Sequence, residues 1–173
     1  RANDISQVKS FVPSPEVGTH KDEKMGTHHA VDVYHLYKTL GISLNVFSSA
    51  MKLNTQYMHC IWYDMKLDTK ITKEGVIKKL MENPRVAVTY KKSANLVFSF
   101  GRDHGHYGRI LDQTVAVIPT IHVINENEVI GFCFTPQDGN ALLSSIAATE
   151  RFLYPDSYNE KLKCLGAFLM QEV

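Results

Sequence analysis

The residues best suited to chemistry in this sequence are histidines and arginines that occur in short groups, several with an aspartate nearby. His59 lies within an aromatic stretch, His28 and His29 are adjacent, and Arg1 stands three residues ahead of Asp4. An imidazole accepts or donates a proton near neutral pH, and an arginine binds phosphate or carboxylate through charge-assisted hydrogen bonds. These residue types therefore favour proton transfer or the binding of an anion.

His59 is positioned by the segment from Lys52 to Leu67. From Gln56 onward this segment is rich in aromatic and β-branched residues, which favour a β-strand. Apolar side chains occur at both odd and even positions, so both faces of the strand are expected to be largely covered. A histidine there is either a hydrogen-bonded core residue or a rigidly held catalytic group, and the strand alone leaves both interpretations open.

A metal site is the second chemical interpretation. His28 and Asp32 stand four positions apart on a predicted helix, where they would share one face. No third ligand follows at a diagnostic spacing, so no metal is predicted. The glycine-rich run at 102–109 contains two more histidines and is more typical of a solvated turn. An anion such as phosphate suits Arg1 and the histidines better, provided that the fold brings them together.

Length and composition exclude several classes of protein. A chain of 173 residues, 44% apolar and 21% charged, is long enough for a core of its own, so one domain is expected over residues 1–173. A net charge of +1 without a basic run argues against nucleic acid, and no apolar run approaches the length that spans a membrane. Cys60, Cys133 and Cys164 are odd in number and widely spaced, which argues against disulfides or a zinc knuckle. A cytoplasmic location is expected.

Hydrophobic periodicity and turn residues predict the elements that position these groups. A helix is expected from His28 to Leu40 after an N-cap at Thr27, and a second helix opens at Thr72 and ends at Asn83-Pro84. The other predictions are a strand at 5–12, a loop at 18–26, strands at 42–51 and 86–90, one strand over 114–124 that is interrupted at Pro119, a hairpin into a strand at 128–134, and helices at 141–153 and 158–171. Residues 93–101 are ambiguous. Paired strands with helices between the pairs indicate an α+β fold, with a mostly antiparallel sheet and helices packed on one face.

Several short motifs occur in an order that resembles one protein family. They are Arg1-Ala2 with Asp4, His28-His29 before Asp32-Val33, Met58-His59 on a strand, Asn83 with Arg85-Val86, Arg102-Asp103, the hairpin from Ile121 to Phe134, and Gln137-Asp138 before the helix at Ala141. Together they span nearly the whole chain. In this order they resemble the catalytic domain of the archaeal-type (type II) glyceraldehyde-3-phosphate dehydrogenases, and the fold of that domain is the one expected here.

The resemblance implies roles for individual residues. In that family a cysteine attacks the aldehyde, a histidine acts as base, hydride passes to NAD or NADP, and inorganic phosphate releases the acyl group. By position His59 resembles the catalytic histidine, Arg1 a phosphate-binding arginine, and His28 and His29 the histidine pair beside the substrate. The expected ligand is a small phosphorylated aldehyde or another anion.

The same resemblance implies that this chain is the catalytic domain alone. The family's cysteine precedes the position of Arg1, and the sequence has no glycine-rich turn of the nucleotide-binding type. We therefore expect that this chain by itself binds no cofactor and is inactive, with the nucleotide-binding domain supplied from outside it.

Three segments depart from the family pattern. Lys52-Leu53-Asn54 stands where the family has Pro-Thr-Thr, Tyr57 replaces a second histidine, and Ala30-Val31 replaces Gly-Pro. The threonines of Pro-Thr-Thr suit phosphate, and their absence argues against a phosphate site of the family's kind. The alternative is therefore a non-catalytic relative that acts as an oligomeric binding or scaffold module. In either case the aromatic strand needs cover on its second face, so a homo-oligomer built on the sheet is expected.

Overall fold

A computed structural model describes residues 14–53, 58–101, 113–136 and 138–173. The chain falls into two compact units, Arg1–Thr55 and Gln56–Val173, and each is described by itself. The strand expected at 5–12 and the glycine-rich run at 102–109 lie outside the described residues, and the single domain expected over residues 1–173 stays a prediction. Within the described ranges, no helix is both long and apolar enough to cross a membrane.

The first unit contains one helix and a two-stranded sheet. Helix α1 (His28–Lys38) begins directly after Thr27, as the sequence predicts. Strand β1 (Glu16–Val17) pairs antiparallel with β2 (Met51–Lys52). The strand expected at 42–51 is wrong except for its last residue. The backbone of Ser48 is instead hydrogen-bonded to the segment before α1: its N–H donates to the Met25 carbonyl and its carbonyl accepts from the Thr27 N–H.

The second unit is built on a five-stranded sheet. Its strands are β3 (Met58–Lys66), β4 (Val86–Thr89), β5 (Thr114–Val117), β6 (His122–Ile124) and β7 (Glu128–Pro136), in the order β3-β7-β5-β4 with β6 also paired to β7. The α+β class is as expected. The sheet is mixed rather than mostly antiparallel, since β4 and β5 run parallel. A parallel pair needs a crossover between its strands, and α3 (Ala94–Gly101), in the segment left ambiguous by its sequence, lies in that connection.

Helices pack on both faces of this sheet, which corrects the expectation of helices on one face. Ala87 and Val88 are adjacent on β4 and point to opposite faces. Ala87 belongs to a core cluster with Val97 of α3, whereas Val88 belongs to a second cluster with Val76 of α2 (Lys73–Met81). We call the two sides the α3 face and the α2 face. On β3 the even-numbered side chains lie on the α3 face and the odd-numbered ones on the α2 face.

Local signals explain the elements that flank the sheet. The Thr72 hydroxyl accepts a hydrogen bond from the Gly75 N–H and so caps α2, as expected from the sequence. The β6–β7 hairpin turns through Asn125 and Glu126, whose φ angles are +48° and +61°, in the left-handed region that asparagine tolerates well. Helix α4 (Asp138–Leu153) follows β7, and the helix expected at 158–171 divides into α5 (Tyr158–Leu162) and a 3₁₀ helix (Lys163–Phe168).

Candidate functional site

His59 is the second residue of β3 and lies on the α2 face, directly opposite Thr135 of β7. β3 pairs with β7 along all nine of its residues, and Met58 just before the histidine is buried, with 1% of its surface exposed. The His59 side chain itself is half-buried. Continuous pairing fixes the backbone on which the imidazole stands, and part of the residue's surface remains exposed.

Two hydroxyl groups continue the row that His59 begins. Thr135 lies beside it on β7, and the Thr135 and Thr114 hydroxyl oxygens are 3.4 Å apart, with Thr114 on β5. Both threonines are half-buried. This row of one imidazole and two hydroxyls supplies a proton acceptor and hydrogen-bonding groups on the same face of a rigid sheet.

The rows that follow on the α2 face are apolar or uncharged. Cys133 lies next to Ile61, and Tyr63 lies opposite Gly131. The Tyr63 hydroxyl is buried and has no hydrogen-bond partner within the part of the chain that the structure describes. Burial, followed by the nearby Cys133 thiol, raises the pKa of Tyr63 above its ordinary value of 10.0. The buried environment thus disfavours the charged phenolate form of Tyr63.

None of the sheet's thiols is a ready nucleophile. Cys60 follows His59 along the strand and lies on the α3 face, as strand alternation predicts, and burial raises its pKa. Cys133 shares the face of His59, but burial, followed by the neighbouring Cys60, raises its pKa to about 11. For both sulfurs the raised pKa disfavours the thiolate, which is the nucleophilic form of cysteine.

His28 and His29 stand together at the start of α1. Both side chains are exposed, and their ring centroids are 4.0 Å apart. The Ser48 hydroxyl accepts from the Ala30 N–H at 3.1 Å and lies 2.7 Å from the Thr27 hydroxyl, so Ser48 supplies the side-chain cap that was expected from Thr27. At least one of the backbone N–H groups at the start of α1 is thus already hydrogen-bonded within the chain.

The convergence of the four predicted site residues stays a prediction. His28 and His29 belong to the first unit and His59 to the second, and Arg1 lies outside the described residues. Asp32, the partner considered for a metal with His28, is exposed on α1. In the described ranges no three or more His, Cys, Asp or Glu side chains form a group that could hold a metal ion.

Within the described residues the His59 strand is only partly covered on each face, and the expectation that both faces are largely covered, with the second face covered by another copy of the chain, stays a prediction. Ile61 on the α2 face and Trp62 on the α3 face are 43% and 57% exposed, respectively. β3 lies at the edge of the sheet as far as the structure describes the chain, so it has only one neighbouring strand to shield its side chains. Thr114 and Thr135 were missed because their place beside His59 follows from strand register, which no local pattern in the sequence specifies.

Comparison of this chain with protein-family models returns no match, and comparison with curated proteins returns none either.

Proposed function

We propose that this chain is the catalytic domain of a phosphorylating aldehyde dehydrogenase that resembles the archaeal-type (type II) glyceraldehyde-3-phosphate dehydrogenases, with His59 as its general base. The order of the short motifs from Arg1 to Ala141 supports the family. The observation that carries the assignment of His59 is its place on a fully paired strand, half-buried, in a row with the Thr135 and Thr114 hydroxyls.

The chemistry explains why a histidine belongs at such a position. In the proposed reaction the thiol of the family's cysteine, which precedes the position of Arg1, gives its proton to a base as its sulfur bonds to the aldehyde carbon. Imidazoles titrate near neutral pH and suit this task, provided that the ring stays within hydrogen-bond reach of the thiol. A strand held along its whole length keeps the ring in place better than a loop would.

Binding of the anion is assigned to the other three predicted site residues. Arg1 would bind a phosphate oxygen through its guanidinium, and His28 and His29 would donate further hydrogen bonds from the start of α1. Since Lys52-Leu53-Asn54 replaces the threonine-bearing segment of the family, the ligand is proposed as a small phosphorylated aldehyde or another anion.

The nicotinamide cofactor of the family accepts the hydride when it is bound. The sequence contains no Gly-x-Gly-x-x-Gly motif, so its residues do not fit that cofactor and no step is assigned to them through it. A cytoplasmic location is part of the proposal, because Cys60, Cys133 and Cys164 are free thiols.

Substitution of His59 in the full-length product of the gene tests the proposal. His59→Gln should lower kcat/KM for glyceraldehyde 3-phosphate by about 10²–10⁴-fold with NAD or NADP and phosphate, since that is the usual contribution of a general base. His35→Gln is the matched control, because His35 is exposed on the last turn of α1. Equal activity of the His59 variant and the wild type would exclude the role.

The alternative function is a non-catalytic, oligomeric binding or scaffold module. One observation favours it: Ile61, Trp62 and Met65 of β3 are all exposed, although they are large and apolar. The full reading frame discriminates between the two. A cysteine and a glycine-rich strand–turn–helix ahead of Arg1 would support the enzyme, and a native product of these 173 residues alone would support the module.

A further inference from the structure

We propose that Ile61 is a specificity-determining residue that contacts the carbon chain of the substrate, so that short unbranched aliphatic aldehydes are substrates as well as a phosphorylated aldehyde. The inference rests on the proposed function, because it takes His59 as the base beside which the aldehyde group lies. Ile61 stands two residues after His59 on β3, on the same face of the sheet. Although it is apolar, it is 43% exposed.

The row of side chains that contains Ile61 is apolar across four strands. In the order β3, β7, β5 and β4, the strand register makes its members Ile61, Cys133, Ala116 and Val88. The last three are buried, whereas Ile61, on the strand at the edge of the described sheet, is exposed. The cover over this row therefore decreases toward β3, and its open end lies beside His59.

The row that contains His59 is polar at the same edge of the sheet. His59 and the Thr135 and Thr114 hydroxyls occupy its first three strands. A boundary between polar and apolar side chains thus runs between His59 and Ile61. Neighbouring residues on one face of a strand are about 6–7 Å apart along it. A ligand with its carbonyl group at His59 therefore places its next carbon atoms over Ile61.

The chemistry of the Ile61 row selects the occupant. None of its four side chains carries a charge, so a phosphate group would lose contact with water there and gain no ion pair. An unbranched aliphatic chain instead gains free energy when it covers the exposed part of Ile61. Ligand sites commonly combine a few polar groups that orient the ligand with an apolar lining. The two adjacent rows supply these two parts side by side.

Tyr63 limits the length of chain that this surface receives. It lies two residues beyond Ile61 on the same face, and its ring fills the space beside Gly131. Its hydroxyl is buried, and the side chain packs against the apolar cluster that contains Val76 of α2. A carbon chain that extends past Ile61 therefore meets a row that is already packed. The inference is accordingly confined to short aldehydes.

Initial rates of the full-length product of the gene with a series of aldehydes test the inference. With NAD or NADP and phosphate, kcat/KM of the wild type should rise about tenfold or more from acetaldehyde to butanal, the usual effect of adding methylene groups in an apolar site. Ile61→Ser should remove most of this rise. The same variant should keep the wild-type kcat/KM for acetaldehyde and glyceraldehyde 3-phosphate, which shows that it is folded. Ile61→Leu retains the apolar contact and should keep the rise.

Met65→Ser is the matched control. Met65 lies on the same strand and face as Ile61 and is 42% exposed, but it stands about 20 Å along the strand from His59. This variant should keep the full rise. If the wild type oxidises glyceraldehyde 3-phosphate but shows no rise from acetaldehyde to butanal, or if Ile61→Ser keeps the rise, the inference is wrong and the proposed function stands. If the wild type oxidises no aldehyde, the proposed function fails and the inference fails with it.

Discussion

Gln113 and Met170 are joined by two hydrogen bonds that imitate the pairing of neighbouring strands. The Gln113 side-chain amide donates to the Met170 carbonyl at 2.8 Å, and the Met170 N–H donates to the Gln113 side-chain oxygen at 2.8 Å. The same amide also donates to the Pro84 carbonyl at 3.0 Å. Gln113 is 1% exposed, so one buried side chain fastens the C-terminal segment to the start of β4 and β5.

Replacing Gln113 should cost more stability than its position in a short connection suggests. Gln113→Leu leaves one N–H and two carbonyls without partners, and a buried unpaired group costs about 1–3 kcal/mol. We expect the free energy of unfolding to fall by about 3 kcal/mol in urea titrations. Gln171→Leu is the control, since Gln171 is exposed in the same segment, and should stay within about 0.5 kcal/mol of the wild type. If Gln113→Leu also lowered the unfolding free energy by no more than about 0.5 kcal/mol, the three hydrogen bonds of Gln113 would contribute little to stability.

The Tyr63 side chain occupies the space beside Gly131 that a larger residue at position 131 would fill. A Cβ atom at Gly131 would come within 2.5 Å of the Tyr63 hydroxyl oxygen and 2.8 Å of the ring carbon that bears it. Both distances are shorter than van der Waals contact. Gly131→Ala must therefore displace the ring, and we expect a loss of about 1–3 kcal/mol in unfolding free energy, the usual effect of overpacking.

Tyr63→Phe should have the opposite sign. The Tyr63 hydroxyl is buried without a hydrogen-bond partner in the described part of the chain. Removing it therefore removes the free-energy cost of taking an unpaired hydroxyl out of water, and the packing of the aromatic ring is kept. We expect stability to rise by about 1 kcal/mol in thermal or urea unfolding. Tyr90→Phe, at a tyrosine that is 63% exposed, should leave stability unchanged. Destabilisation by Tyr63→Phe would show that the hydroxyl has a partner.

The elements that local signals specify were predictable from the sequence. Thr72 followed by a one-sided apolar pattern indicated α2, and Asn125 with its neighbours indicated the β6–β7 hairpin. Both features depend on residues within a few positions of each other, so no tertiary contact has to be known. The strand that holds His59 was predicted for the same reason, from its aromatic and β-branched composition.

What the sequence did not reveal depends on pairing between distant segments. The parallel pairing of β4 with β5 turned the expected antiparallel sheet into a mixed one, and the apolar run at Ala94–Gly101 gave no clear period although it forms α3. The neighbours of His59 are Thr135 and Thr114, which lie more than fifty residues away in the chain. Register across three strands, rather than any motif, sets this part of the candidate site.

The isolated chain of 173 residues should not oxidise glyceraldehyde 3-phosphate with NAD or NADP. Its sequence has no Gly-x-Gly-x-x-Gly motif of the nucleotide-binding type, and Cys60 and Cys133 have raised pKa values that disfavour the reactive thiolate. Absorbance of the reduced cofactor at saturating phosphate is the measurement, with a heat-treated sample as the baseline. Cofactor-dependent turnover above this baseline would contradict the assignment of the chain as a catalytic domain that is incomplete by itself.

Stability should fall steeply in alkali because of Cys133. Burial raises its pKa from an ordinary value of 9.0 to about 11 in the folded chain. A group whose pKa is higher in the folded chain than in the unfolded chain stabilises the fold at any pH below its pKa in the unfolded chain. This stabilisation is lost as the pH rises through its pKa in the folded chain. Between pH 9 and pH 11 the unfolded chain therefore releases this proton first, and unfolding free energy should drop by up to about 3 kcal/mol, at about 1.36 kcal/mol for each pH unit.

The contribution of Cys133 can be isolated by comparing slopes rather than absolute stabilities. Urea titrations at pH 8, 9, 10 and 11 should show a shallower decline for Cys133→Ala than for the wild type, whatever the substitution costs at pH 8. Cys164→Ala is the control, because Cys164 is exposed, and its decline should match that of the wild type. Cys60 and Tyr63 also have pKa values raised by burial, so some decline should remain in the Cys133 variant. Equal slopes for Cys133→Ala and the wild type would show that this thiol is not the main titrating group.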